Sequence, residues 1–215
     1  MKKLCIFDLD GTLLNTLPTI AYYGNLALGK INLAPIPEER YKALVGDGRD
    51  LLIHRMLAEY NADTAENYET VGAAYDAAYE ADVMYLTKPY DGIPELLSAL
   101  KSSGVKLAVL SNKPHNVANP IVREVFGDIF DEAWGKRTNF PTKPNPAAAH
   151  EICRILGISA AETAFIGDTS VDIATGKYAG FYTIGAAWGF RSVAELRDAG
   201  ADFIANKAPE IADAI

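Results

Sequence analysis

The sequence predicts an α/β fold: a Rossmann-like parallel sheet covered by helices on both faces, with an all-helical insert near its start. Three observations carry this. Short apolar runs rich in β-formers alternate with helical spacing over residues 1–14 and about 87–215, the pattern of parallel strands joined by crossover helices. Glycine stands just past each of these predicted helices, where a left-handed C-terminal cap is needed. Residues 16–86 carry helical spacing only. The expected domains are therefore an α/β core from 1–15 and 87–215, and a helical domain from 16–86.

Taken in order, Lys3–Phe7 reads as the first strand and ends at Asp8-Leu9-Asp10-Gly11-Thr12. Pro18 suits the first turn of a helix running to about Lys30. Tyr68, Val71, Tyr75, Ala78 and Tyr79 recur every three or four residues, one packed face of a helix. Ile93–Ser102 is a helix closed by Gly104, and Val105–Leu110 is the next strand. Asn116–Phe126 and Pro146–Leu156 are helices closed by Gly127 and Gly157. Thr163–Ile166 is a strand, followed by a helix over Val171–Ala179 closed by Gly180. Tyr182–Ala186 and Asp202–Ala205 complete the strands.

At 215 residues, the chain is long enough for one good core with a small second domain. A net charge of -8 and the lack of a basic stripe argue against nucleic acid as a partner. No apolar run is long enough to span a membrane, and the few apolar residues before Asp8 are too short for a signal-peptide core. Cys5 and Cys153 are not in a CxxC pair and read as small core residues of a cytoplasmic protein. The expected state is a monomer or small homo-oligomer. His54, His115 and His150 have no metal-binding spacing, and His115 reads as a loop residue.

Open parallel sheets bind ligands at the carboxyl ends of their strands. Asp8 and Asp10 follow the first strand; Ser111, Asn112 and Lys113 follow the second; Asp168 and Asp172 follow the third; Lys143-Pro144 precedes a helix between the last two. Acids two residues apart repel in low dielectric unless a cation or a shared proton lies between them. Three acids with no His or Cys nearby favour a hard, oxygen-loving ion, Mg2+ above all. A hydroxyl, backbone amides and one Lys suit phosphate oxygens. Thr12 adds a hydroxyl beside the acids.

These motifs resemble the haloacid dehalogenase superfamily in its phosphatase branch: Asp8-Leu9-Asp10-Gly11-Thr12, Leu110-Ser111-Asn112, Lys143-Pro144 and Gly167-Asp168-Thr169-Ser170-Val171-Asp172 match its four motifs in order. The third departs from the common form, with Asn145 where an acid often stands. The resemblance implies that residues 16–86 are a helical cap of the C1 type. It implies that Asp8 is the nucleophile, forming an aspartyl-phosphate, and that Asp10 is the general acid and base. Mg2+ would be held by Asp8, the Asp10 carbonyl and Asp168, with Asp172 contacting the metal or supporting it. Ser111 and Lys143 would grip the phosphoryl group, with Thr12 and Asn112 beside them.

Pro89-Tyr90-Asp91-Gly92-Ile93 and Trp188-Gly189-Phe190-Arg191 resemble the group acting on 2-phosphoglycolate. Val45-Gly46-Asp47-Gly48-Arg49 resembles that group's specificity loop, which implies that Arg49 pairs with a substrate carboxylate. The expected activity is Mg2+-dependent hydrolysis of a small phosphorylated metabolite. The alternatives are a β-phosphoglucomutase-like mutase or a pyrophosphatase of the same superfamily. A receiver-type phospho-acceptor module is disfavoured, because receivers phosphorylate a middle strand and lack a helical insert.

Overall fold

The computed structural model describes residues 2–215. Its strands are β1 (Leu4–Phe7), β2 (Leu14–Asn15), β3 (Lys88–Pro89), β4 (Lys106–Pro114), β5 (Glu132–Lys136), β6 (Thr163–Gly167), β7 (Tyr182–Ala186) and β8 (Phe203–Ala205). Its helices are α1 (Leu17–Leu28), α2 (Glu38–Leu44), α3 (Arg49–Ala58), α4 (Ala65–Ala81), α5 (Ile93–Ser102), α6 (His115–Phe126), α7 (Ala147–Leu156), α8 (Ser170–Tyr178), α9 (Val193–Asp198) and α10 (Glu210–Ala214). The chain separates into two compact units, one running up to Asn15 and resuming at Pro89–Ile215, the other formed by Thr16–Lys88.

In the first unit, six of the described strands form one parallel sheet in the order β5-β4-β1-β6-β7-β8. Strand β1 lies inside it because all four of its side chains are apolar and all are fully buried. Alternate residues of a strand point to opposite faces, so the burial of both Leu4 and Cys5 means that both faces are covered. On one face, Leu4, Ile6, Ala108, Leu110 and Phe165 pack with Ala149, Ile152 and Cys153 of α7. Cys5 and Cys153 are free and buried, and burial pushes the Cys5 thiol up to about 12. Helix α5 has the expected bounds. Gly127 and Gly157, expected as caps, take positive φ of 62° and 69°.

Five elements stand where none was expected: the two-residue strands β2 and β3, the edge strand β5, and the short helices α9 and α10. His115 is not a loop residue; it opens α6, whose first turn begins directly after Pro114. Strand β4 also runs beyond Leu110. Its register against β5 shifts between Leu110 and Pro114, so residues 111–113 lie in the irregular stretch. Such irregularities re-aim side chains at a sheet's edge.

The second unit is built from α1 to α4. Thr64 caps α4 by accepting a hydrogen bond from the Asn67 N–H at 3.3 Å. Val71, Tyr75 and Tyr79 form its buried face, as their spacing predicts. Among the described residues, no helix is long and apolar enough to cross a membrane.

Candidate active site

Asp8 follows the last residue of β1 and Asp168 the last residue of β6, and these strands are neighbours with Phe7 opposite Ile166. The ladder continues one step further, with the Asp8 N–H donating to the Ile166 carbonyl at 2.9 Å. Register alone therefore places both carboxyls at one edge of the sheet.

Asp168 is fully buried and held at both oxygens. The Thr12 hydroxyl donates to Oδ1 at 2.8 Å, and the Phe190 N–H donates to Oδ2 at 2.8 Å. Two glycines make room for it. Gly11 has φ +89°, and a Cβ there would fall on the Asp168 carboxylate. A Cβ at Gly189 would collide with the Asp168 Cβ. The Trp188 indole N–H donates to the Thr12 carbonyl at 3.0 Å, tying the residues after β7 to the loop after β1. The run Trp188-Gly189-Phe190 thus fixes an acid of the site. The sequence marked this run only by resemblance.

Lys143 is buried between two carboxylates. Its Nζ lies 2.7 Å from Asp8 Oδ1 and 2.6 Å from Asp172 Oδ1. Asp172 Oδ2 accepts from the Thr169 N–H at 3.0 Å and the Thr169 hydroxyl at 2.7 Å, a capping box that starts α8. Both Asp172 oxygens therefore have partners: one orients Lys143, the other closes the helix. Asn112 clamps the same lysine from behind. Its Oδ1 accepts from the Lys143 N–H at 2.9 Å, and its amide donates to the Lys143 carbonyl at 3.3 Å. Asn145, the departure in the third motif, accepts from the Ala147 N–H at 3.0 Å and serves the start of α7. Ser111 is buried, and its hydroxyl oxygen accepts from the Lys113 N–H at 3.2 Å. Asp10 is paired with Lys113, whose Nζ lies 3.3 and 3.2 Å from its two oxygens. Sequence reasoning gave Lys113 no role. Its signal was its place two residues past Ser111, on the same irregular strand end.

The electrostatics follow from burial. Loss of water, then the charge of Asp172, push the Asp8 carboxyl up to about 7 against the pull of Lys143. Loss of water, then Asp172 and Asp8, hold Asp168 well above the ordinary carboxylate range. Burial alone would favour a neutral Lys143 amine, but Asp172 and Asp8 keep its pKa above the ordinary lysine value. Three buried carboxylates thus face one buried ammonium. One oxygen from each of Asp8, Asp168 and Asp172 lies within 4.8 Å of the others. Asp8 Oδ1 is buried and, apart from the Lys143 ion pair, has no directed hydrogen bond. This hard-oxygen donor set with unbalanced negative charge fits a divalent cation.

Arg49 lies in the second unit and is engaged there. Its guanidinium donates to Asp76 at 2.9 and 2.7 Å, to the Tyr68 hydroxyl at 2.9 Å and to Asp50 at 3.3 Å. The bidentate Asp76 pair fills the fork that a substrate carboxylate would occupy.

A parallel α/β sheet with buried acids and a lysine at its carboxyl edge defines a phosphoryl- or acyl-transfer class of enzyme. The family model of haloacid dehalogenase-like hydrolases matches residues 2–180, and the chain belongs to that family; it is a hydrolase. It is 32% identical over 209 residues to a phosphoglycolate phosphatase of Haemophilus influenzae, covering 94% of this chain and 93% of that one. It is 34% identical over 196 residues to a phosphoglycolate phosphatase of Rhodospirillum rubrum, covering 88% of this chain and 81% of that one. A crystal structure from Lactobacillus delbrueckii subsp. bulgaricus superimposes with a TM-score of 0.95 at 31% identity, covering 100% of this chain and 99% of that one.

Proposed function

We propose that the protein is a Mg2+-dependent phosphatase that hydrolyses a small phosphomonoester, 2-phosphoglycolate above others, through an aspartyl-phosphate on Asp8. The observation that carries this is the buried cluster of Asp8, Asp168 and Asp172 around Lys143 at the sheet's carboxyl edge. The curated relatives named phosphoglycolate phosphatase support the substrate.

In this reading, an Asp8 oxygen attacks phosphorus and the bond to the ester oxygen breaks. Asp10 gives its proton to the leaving alkoxide. Asp10 then takes a proton from water, which attacks the aspartyl-phosphate, releases inorganic phosphate and restores Asp8. Ser111 and Lys143 hold the phosphoryl oxygens. Lys113 orients Asp10, while Asn112 and Asp172 orient Lys143. Mg2+, held by Asp8, Asp168 and the Asp10 carbonyl, would supply positive charge against the transferring group. Thr12 acts by fixing Asp168 rather than by touching substrate, and Arg49 acts as a clamp within the helical unit. That unit is the cap, and its role is to exclude water during the reaction. Free thiols suit a reducing, cytoplasmic setting.

The test is phosphate release from a panel of phosphomonoesters with Mg2+, wild type beside Asp8→Asn. The panel includes phosphoglycolate, sugar phosphates, pyrophosphate and nucleoside monophosphates. The expected result is highest kcat/KM for phosphoglycolate and no turnover by the variant. Broad turnover, or a preference for another ester, overturns the substrate; equal turnover by the variant overturns the mechanism.

A further inference from the structure

A narrow cleft, open on one side to solvent, lies between the ends of β4 and β5. Ser111, Asn112 and Lys143 line one part of it and Trp134 and Arg137 another. Arg137 belongs to none of the motifs, and its surroundings are unusual for an arginine. Its guanidinium sits over the Trp134 ring, 3.8 Å from the centroid. Its Nε is buried and has no hydrogen-bond partner. Among the described residues, no carboxylate pairs with it; the nearest acid in the strand, Glu132, accepts instead from the Trp134 indole N–H at 2.7 Å.

The ring nitrogen that the structure brings to Arg137 is also a donor. His115 Nδ1 accepts from the Gly135 backbone N–H at 3.2 Å. A ring nitrogen that accepts carries no proton, so the neutral ring bears its hydrogen on Nε2. That nitrogen is 3.4 Å from Arg137 Nη2. Two N–H groups thus face each other with no acceptor between them. Burial, then the charge of Arg137, keep the ring below its ordinary pKa, hence neutral. Donors that converge without an acceptor are costly unless an incoming group satisfies them. A planar fork beside an N–H matches an oxyanion, a carboxylate above all.

We propose that Arg137 and His115 Nε2–H form a carboxylate subsite, in the cleft shared with Ser111 and Lys143, that receives the carboxylate on the leaving group of the phosphomonoester. The assignment rests on the phosphatase reading above and names the residue that reads the substrate's second charge. Arg49, the residue singled out for that task by the sequence, has its fork filled by Asp76.

The test uses two phosphonates that cannot be hydrolysed, phosphonoacetate and methylphosphonate, titrated calorimetrically into the full-length protein with Mg2+. The readout is the ratio of their dissociation constants. Wild type is expected to favour phosphonoacetate, and Arg137→Met to cut that preference about tenfold or more, the scale of a hydrogen-bonded charge. Arg137→Lys, which keeps the charge but not the fork, is expected to fall between them. His115→Phe is expected to lower the same ratio. A ratio unchanged in Arg137→Met overturns the subsite, and so does equal weakening of both ligands, which marks a merely structural residue. Turnover separates the two readings. Phosphoglycolate hydrolysis with an unchanged ratio leaves the substrate standing and removes the subsite. A lowered ratio without phosphoglycolate hydrolysis does the reverse.

Discussion

Replacing Asp8 by Asn should stop turnover and yet make the metal-free fold more stable above pH 7. The carboxyl is raised from 3.8 to about 7 by burial and by Asp172, in spite of Lys143. A carboxyl with a raised folded-state pKa ionises first in the unfolded chain. Stability is therefore full below the unfolded value, falls as pH climbs through the interval up to about 7, and stays low above it. Roughly three pH units at about 1.4 kcal/mol each is on the order of 4 kcal/mol. Asparagine keeps the shape and stays neutral, while Lys143 retains Asp172 as its partner. Allowing for the lost ion pair, the expected gain at pH 8 is about 2–4 kcal/mol, shrinking toward zero near pH 4. The assay is urea unfolding in EDTA at pH 4, 6 and 8, followed by the same series in excess Mg2+. Mg2+ should stabilise the wild type through mass action and act far less on Asp8→Asn. A variant no more stable than wild type at pH 8 in EDTA, or one whose advantage does not vary with pH, refutes the reasoning.

Asp172→Ala should lose both the helix cap, about 1 kcal/mol, and the orientation of Lys143, with some repayment as Asp8 and Asp168 lose a like-charged neighbour. The expected net destabilisation is about 1–3 kcal/mol, with kcat reduced more than KM is raised; Asp172→Asn should recover the cap but not kcat, and recovery of both would show that the Lys143 contact is idle. Asp131 is held below the ordinary carboxylate range: burial opposes this, but Lys101, Lys106 and the Leu107 N–H outweigh it. A depressed pKa contributes stability above the unfolded value and loses it as pH falls through the folded one. Asp131→Asn should therefore unfold at lower urea than wild type at pH 7, with the gap closing as pH falls through 4 toward 2; a constant gap means that packing rather than charge is responsible.

The sheet was legible because its inner strands are short, continuous apolar runs such as Leu4–Phe7 and Thr163–Gly167, and the helices because glycine closes them. Strand β5 was not. Glu132–Lys136 offers only Trp134 as a strand-former, and it is a strand because β4 supplies its hydrogen bonds. Helix α9 is six residues long, too short for periodicity, though Ser192 followed by Glu195 was a readable cap. The positions of Asp8 and Asp168 were legible as strand-end chemistry, and those of Ser111 and Lys143 as members of the motifs. Their pairings were not, because each joins distant segments: Asn112 to Lys143, Lys113 to Asp10 and Thr12 to Asp168. Sequence spacing reports which face a residue takes, and says nothing about which partner reaches it there.

The two arginines carry this furthest. In the sequence, Arg49 follows two glycines in a loop that resembles a specificity element, while Arg137 stands in an unremarked stretch before the third motif. An arginine is free to read an anion only where the fold leaves its fork without a carboxylate. Asp76, 27 residues along the chain from Arg49, takes that fork from the helix opposite. Arg137 receives an aromatic face and a second N–H instead. An aromatic ring stabilises the cation and supplies no acceptor, so the charge is held in place with its donors unspent. The same logic applies to the acids. Asp10 has Lys113 beside it, whereas Asp8 and Asp172 share the Lys143 ammonium and Asp168 is held only by the neutral donors of Thr12 and Phe190. Charge left uncompensated by the protein's own residues is what fits the acids to a cation and Arg137 to the proposed carboxylate.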